Sequence, residues 1–119
     1  GSRRILNILM VILELPKGGV CLIDEIDTGL HFSALPVMWR AVLQAAESND
    51  VQLFATTHSD ECVKSLVEVL REKSEKEDKL MEDMDFALYH LVQSKEGTKA
   101  YRQGSDNMET MVELGIEYR

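Results

Sequence analysis

The stretch Val20-Cys21-Leu22-Ile23-Asp24-Glu25-Ile26-Asp27 constrains this chain more than any other. Four apolar residues run without a break into two adjacent carboxylates, with Gly18-Gly19 ahead of them and Thr28-Gly29 behind. A short apolar run closed by turn residues predicts a strand buried on both faces, as in a parallel sheet. Its end lies at the carboxyl edge of the sheet, where open α/β folds bind ligands. Two acids there cannot both enter a core, because an unpaired buried carboxylate is costly. A metal-bearing cleft suits them better. Successive strand residues alternate sides, so Asp24 and Glu25 can take different tasks, one near a metal and one near a water. On these residues alone, a strand end with two solvated acids explains the pattern equally well.

Going along the chain, Gly1-Ser2 reads as a tag remnant. Arg3 to Leu15 is apolar on almost every face and contains no glycine, which predicts a helix buried all round. A chain this short offers little to cover it, the first hint of a partial domain. Pro16-Lys17-Gly18-Gly19 breaks the helix. After the acidic stretch, Thr28 to His31 is a loop, and Ser33 is the expected N-cap of a helix from Ala34 to Ser48 with Pro36 in its first turn. Leu35, Met38, Val42, Ala45 and Ala46 form its apolar face. Val51 to Thr56 predicts a second buried strand, completing a parallel βαβ unit. A helix from Glu61 to about Lys73 follows, capped by Ser59 or Asp60, with Cys62, Leu66, Val69 and Leu70 inward. The mixed-charge run Glu72 to Asp85 is the frayed end of that helix and a solvated connection. Phe86 to Gln93 and Thr98 to Arg102 form a β-hairpin, and a short helix from Asp106 to Leu114 is capped by Ser105 and stopped by Gly115. The fold class is therefore α/β, a parallel-sheet core with flanking helices plus a C-terminal hairpin and short helix.

Composition narrows the function. With 119 residues, 45% of them apolar and only two prolines, the chain can build one small core and is not a disordered segment. The 13 basic against 21 acidic residues, a net charge of −8, argue against this piece holding nucleic acid by itself. Cys21 and Cys62 form no Cys-x-x-Cys pair, and a thiol in a buried strand suits a reduced, cytoplasmic setting. No secretory signal is evident. The longest apolar segment, Ile5 to Leu15, contains Asn7 and Glu14 and is too short to cross a bilayer, so no membrane partner is expected.

Four polar features gather at one sheet edge: Asp24, Glu25, the loop Asp27 to His31, and His58 in Thr56-Thr57-His58-Ser59. Each has a plain alternative. The acids can be solvated, the loop an ordinary turn, and His58 a capping histidine. His31 gains no such support, and His90, in the hairpin, reads as structural.

In this order the features resemble the C-terminal half of an ABC-type ATPase head, half of a P-loop NTPase. Val20 to Glu25 is similar to its Walker B strand, Asp27 to His31 to its D-loop, and Thr56 to Ser59 to its switch-histidine loop. The hairpin stands where such heads carry one, and the helix beginning Arg3-Arg4-Ile5-Leu6 looks like the one after the signature motif. The wording LIDEIDTGLH and FATTHS is closest to stand-alone, non-transporter ATPases of the OLD, RecF and SMC-like groups, several tied to DNA repair or phage defence. The resemblance implies ATP and Mg²⁺ as cofactors, with Asp24 holding the metal, Glu25 orienting or deprotonating the attacking water, and His58 touching the γ-phosphate. It implies that Asp27, Thr28, Gly29, Leu30 and His31 face a second head in a homodimer, although His31 stands where many such heads have aspartate. DNA or an effector protein would be reached through other regions.

Two departures matter. No Gly-x-x-x-x-Gly-Lys-[Ser/Thr] occurs in the chain, and Lys95-Glu96-Gly97-Thr98-Lys99 is hairpin turn rather than phosphate loop. The signature motif is also absent and is expected just upstream of Arg3. The expectation is a truncated head, inactive alone and completed by an N-terminal lobe of the same protein. Two alternatives stand beside it: a metal-dependent nuclease or phosphatase with Asp24, Glu25 and Asp27 as ligands, and a non-catalytic interaction module.

Overall fold

The computed structural model describes residues 2–77, 87–94 and 97–104, which divide into two units, Gly1–Thr57 and His58–Arg119. In the first unit, helix α1 (Ser2–Glu14) leads to strand β1 (Val20–Ile23), a short 3-10 turn (Phe32–Ala34), helix α2 (Leu35–Ser48) and strand β2 (Gln52–Ala55). β1 and β2 are parallel neighbours, in the register Val20↔Gln52 to Ile23↔Ala55. The predicted βαβ unit is therefore present.

The core of this unit is made by helix stripes at the expected spacing. Ile8 and Ile12 of α1, and Leu35, Met38, Trp39, Val42 and Ala46 of α2, are buried, and the two helices pack on each other. Trp39 was not among the residues expected to face inward, and Ala45 is half-buried. The Asn49 side chain fastens this pair, its Nδ2 donating to the carbonyls of Ile12 (2.8 Å) and Leu15 (3.0 Å). These are carbonyls at the end of α1 that the helix cannot satisfy internally. Gly19 is required by close approach, since a Cβ there would lie 2.9 Å from the Pro16 carbonyl oxygen.

Several expectations are corrected. α1 is not buried all round: Leu6, Met10 and Leu13, one helical stripe, are more than half exposed, because α2 covers only the Ile8–Ile12 side. Nor is β1 covered on both faces. Cys21 is 4% exposed and Leu22 is 76% exposed, and since adjacent strand residues face opposite ways, one face of the sheet is covered and the other open. β2 is likewise not buried, with Phe54 at the surface. Ser33 does not cap α2. The 3-10 turn intervenes, His31 caps that turn, and the N-cap of α2 is Ala34, without a side-chain bond.

In the second unit, α3 (Asp60–Glu77) starts one residue earlier than predicted and runs longer. Ser59 caps it, its Oγ accepting the Cys62 N–H at 3.2 Å. Cys62, Val63, Val67, Val69 and Leu70 are buried, whereas Leu66 is half-buried. Strands β3 (Ala87–Ser94) and β4 (Gly97–Gly104) pair antiparallel from Ala87↔Gly104 to Ser94↔Gly97, the hairpin expected from the sequence, with its first strand shifted by one residue and its second longer than predicted. The mixed-charge connection beyond Glu77, the turn residues Lys95 and Glu96, the last helix and the side chain of His90 lie outside the described residues. No helix among the described residues is long and apolar enough to cross a membrane.

Candidate functional site

β1 ends at Ile23, and the chain leaves the strand at once. Asp24 and Glu25 occupy a bend, both exposed, and Ile26 returns fully buried. They do not alternate as strand residues, as the sequence suggested, because Glu25 takes a left-handed backbone conformation (φ +50°), unusual for a residue with a Cβ.

What holds the bend comes mainly from the tip of β2. Thr56 Oγ1 donates to Asp24 Oδ1 at 2.5 Å and accepts the Glu25 N–H at 2.8 Å. The Thr56 N–H donates to Ile23 O, and the Thr56 carbonyl accepts the Ile26 N–H, both at 3.0 Å. The strand ladder thus continues one step past both strands, with a hydroxyl inserted between the two acids. Thr57 repeats the pattern, Oγ1 donating to Asp27 Oδ1 at 2.6 Å. Hydrogen bonds to ionised acceptors are short and stronger than neutral ones. From the other side, Arg4 Nη2 of α1 donates to the carbonyls of Asp24 (3.4 Å) and Glu25 (3.2 Å). A cleft of about 250 Å³ opens between α1 and β1, lined by Arg4, Ile8, Val11, Cys21, Leu22 and Asp24 among others.

The loop after the acids consists of two consecutive tight turns. The Thr28 N–H donates to Glu25 O (3.0 Å) and the Leu30 N–H to Asp27 O (3.1 Å), with Gly29 at φ +78°. Thr28, Gly29 and His31 are exposed, Asp27 and Leu30 half-buried. His31 Nδ1 accepts the Ser33 N–H at 3.3 Å and lies 2.9 Å from Ser33 Oγ, while its ring sits 4.3 Å from that of Phe32. The imidazole is therefore engaged in capping its own loop.

The first unit thus brings Asp24, Glu25 and Asp27 together with Thr56 and Thr57. His58 is the first residue of the second unit and is exposed. Among the described residues, no group of three or more His, Cys, Asp or Glu side chains is placed to hold a metal ion. The donor set suits Mg²⁺ in one manner only. Of the two exposed carboxylates, Asp24 is fixed through one oxygen, and its other oxygen would suit a cation that keeps most of its waters and takes further ligands from a bound phosphate. Arg4 and the bridging role of Thr56 were missed by sequence reasoning. Thr56 could have been found, because extending the register beyond Ile23↔Ala55 sets it opposite Asp24.

A parallel βαβ unit with an acid pair at its carboxyl edge is compatible with a fragment of a P-loop-type α/β domain. The family described as "AAA domain, putative AbiEii toxin, Type IV TA system" matches residues 1–64, more than half of the chain, and the chain belongs to that family. It is also similar to an ATP/GTP phosphatase of Helicobacter pylori, 39% identical over 54 residues, which are 43% of this chain and 15% of that protein. An uncharacterised protein of Methanocaldococcus jannaschii is 28% identical over 113 residues, 94% of this chain and 91% of that protein. The chain thus spans a small part of the first relative and nearly all of the second. No solved structure matches. At family level the chain is an AAA-type domain.

Proposed function

We propose that the chain is the acid-bearing part of an ABC-type ATPase head of the OLD, RecF and SMC-like kind, completed in the intact protein by a lobe that carries the phosphate-binding loop. The observation that carries this reading is the acid bend itself: Asp24 and Glu25 exposed at the carboxyl edge of a parallel strand, immobilised by Thr56. Asp24, exposed and fixed through one oxygen, would hold Mg²⁺ through water, and the ion would neutralise charge on the phosphates of ATP. Glu25 would orient the attacking water and accept its proton, and the backbone lock at its amide fits a group whose task is positioning. His58 would approach the γ-phosphate from the following loop. Asp27 to His31 would face a second head, and the exposure of Thr28, Gly29 and His31 fits that role. ATP would join two heads, and hydrolysis would release them.

The open face of β1 and the exposed stripe Leu6-Met10-Leu13 favour a further lobe over a self-sufficient domain. The nuclease or phosphatase reading needs three carboxylates on one ion. Instead, Asp24 and Asp27 are each bonded to a different threonine, which disfavours it. Incubating the chain with Mg²⁺ or Mn²⁺ and plasmid DNA or a phosphoester tests the choice. The ATPase reading expects no turnover above background, and metal-dependent cleavage abolished by Asp24→Asn would overturn it.

A further inference from the structure

The left-handed backbone of Glu25 needs support. For a residue with a Cβ this conformation is unfavourable and persists only where surrounding contacts fix it. Three anchors among the described residues contribute. The Glu25 amide is held by Thr56 Oγ1, its carbonyl accepts the Thr28 N–H, and the same carbonyl accepts Arg4 Nη2. Thr28 lies in the same turn and Thr56 on the paired strand. Of these three, Arg4 is the one that comes from a helix, 21 residues away in sequence.

Arg4 is an unexpected choice on packing grounds. Its Nε is buried and has no hydrogen-bond partner among the described residues, an unfavourable state for a guanidinium. A methionine or leucine could line the same cleft without that cost. The guanidinium donates to the two carbonyls rather than to the carboxylates of the same residues. Both bonds leave one nitrogen, Nη2, whose N–H groups reach the two adjacent carbonyls from a single point that the planar guanidinium and the helix hold in place.

We propose that Arg4 is a positioning residue for Glu25, its guanidinium tying helix α1 to the Asp24 and Glu25 carbonyls so that the seat of the helix sets the direction of the Glu25 side chain. The structural half of this statement concerns the bend alone, while its catalytic consequence rests on the reading of Glu25 given above. A shift of α1 along α2 would reach the acid through Arg4 without touching the phosphates.

The test compares Arg4→Met and Arg4→Lys with the parent chain by amide hydrogen exchange. In Arg4→Met, the Glu25 and Thr28 amides should exchange about tenfold faster, the scale of one lost hydrogen bond, while the Thr56 amide in the β1–β2 ladder keeps its rate. Arg4→Lys, which keeps the charge and the aliphatic stem, should fold and show a smaller change at the same two amides. Unchanged Glu25 and Thr28 protection in both variants overturns the proposal, as does an equal loss across α1, the ladder and the bend. In the intact protein, Arg4→Met should lower kcat for ATP about tenfold with KM retained, and Arg4→Lys should restore part of it. An exchange effect in an intact protein that hydrolyses no nucleotide would leave Arg4 as the anchor of the bend and count against the ATPase reading instead.

Discussion

Thr56 donates its hydroxyl to one carboxylate oxygen of Asp24 at 2.5 Å, and the same oxygen of Thr56 accepts the amide of Glu25 at 2.8 Å. One side chain on β2 thus fixes both acids at the end of β1, the first through its carboxylate and the second through its backbone. Thr56→Val keeps the shape and removes both bonds. We expect a lowered urea midpoint corresponding to about 1 kcal/mol, the modest value suiting an exposed position, with an unchanged m-value. In the intact protein, turnover should fall at least tenfold while Thr56→Ser stays near the parent level. Equal turnover in the valine and serine variants would remove Thr56 from the site.

Asn49 is expected to matter for stability and not for chemistry. Its amide satisfies the Ile12 and Leu15 carbonyls where α1 ends. Asn49→Ala should cost about 1–2 kcal/mol by urea denaturation, since the Leu15 carbonyl loses its amide donor and the Ile12 carbonyl keeps only the longer bond from the Leu15 N–H. A change below about 0.3 kcal/mol would mean that water replaces the amide without penalty.

Burial pushes the Cys21 thiol above its ordinary pKa. The folded chain therefore holds this proton more tightly than the unfolded chain does. The associated stability is fully present below the unfolded value of about 8.5 and is lost as pH rises through the folded value. The urea midpoint of the parent should fall between pH 8 and pH 10 more steeply than that of Cys21→Ala. Parallel curves for the two proteins would show that the thiol does not titrate differently on folding.

Much of the first unit was legible because it obeys local rules. The apolar run before Asp24 gives β1, the spacing of Leu35, Met38 and Val42 gives the buried face of α2, and the connection between them imposes parallel pairing. Coverage was not legible. The pattern of α1 records that its residues are apolar, but which of them meet a neighbour depends on α2, and Leu6 and Met10 are left at the surface. Within the site, the position of Asp24 and Glu25 as exposed acids at the end of β1 was legible, whereas the left-handed turn at Glu25 did not show in the sequence. Glycine or asparagine usually marks such a position, and here hydrogen bonds from Thr56, Thr28 and Arg4 take that role. Arg4 could not be found at all, because a cation near the start of an apolar helix ordinarily reads as a solvated end.

The exposed Glu25, held beside Asp24 at the carboxyl edge of β1, is the group to which the proposed chemistry assigns the attacking water. The most direct measurement is ATP binding and single-turnover hydrolysis by Glu25→Gln in the intact protein, with Mg²⁺ present. The account predicts that binding is kept, hydrolysis falls by at least about a hundredfold, the usual scale of a lost general base, and the joined dimer accumulates. Hydrolysis by the variant at the parent rate would contradict it.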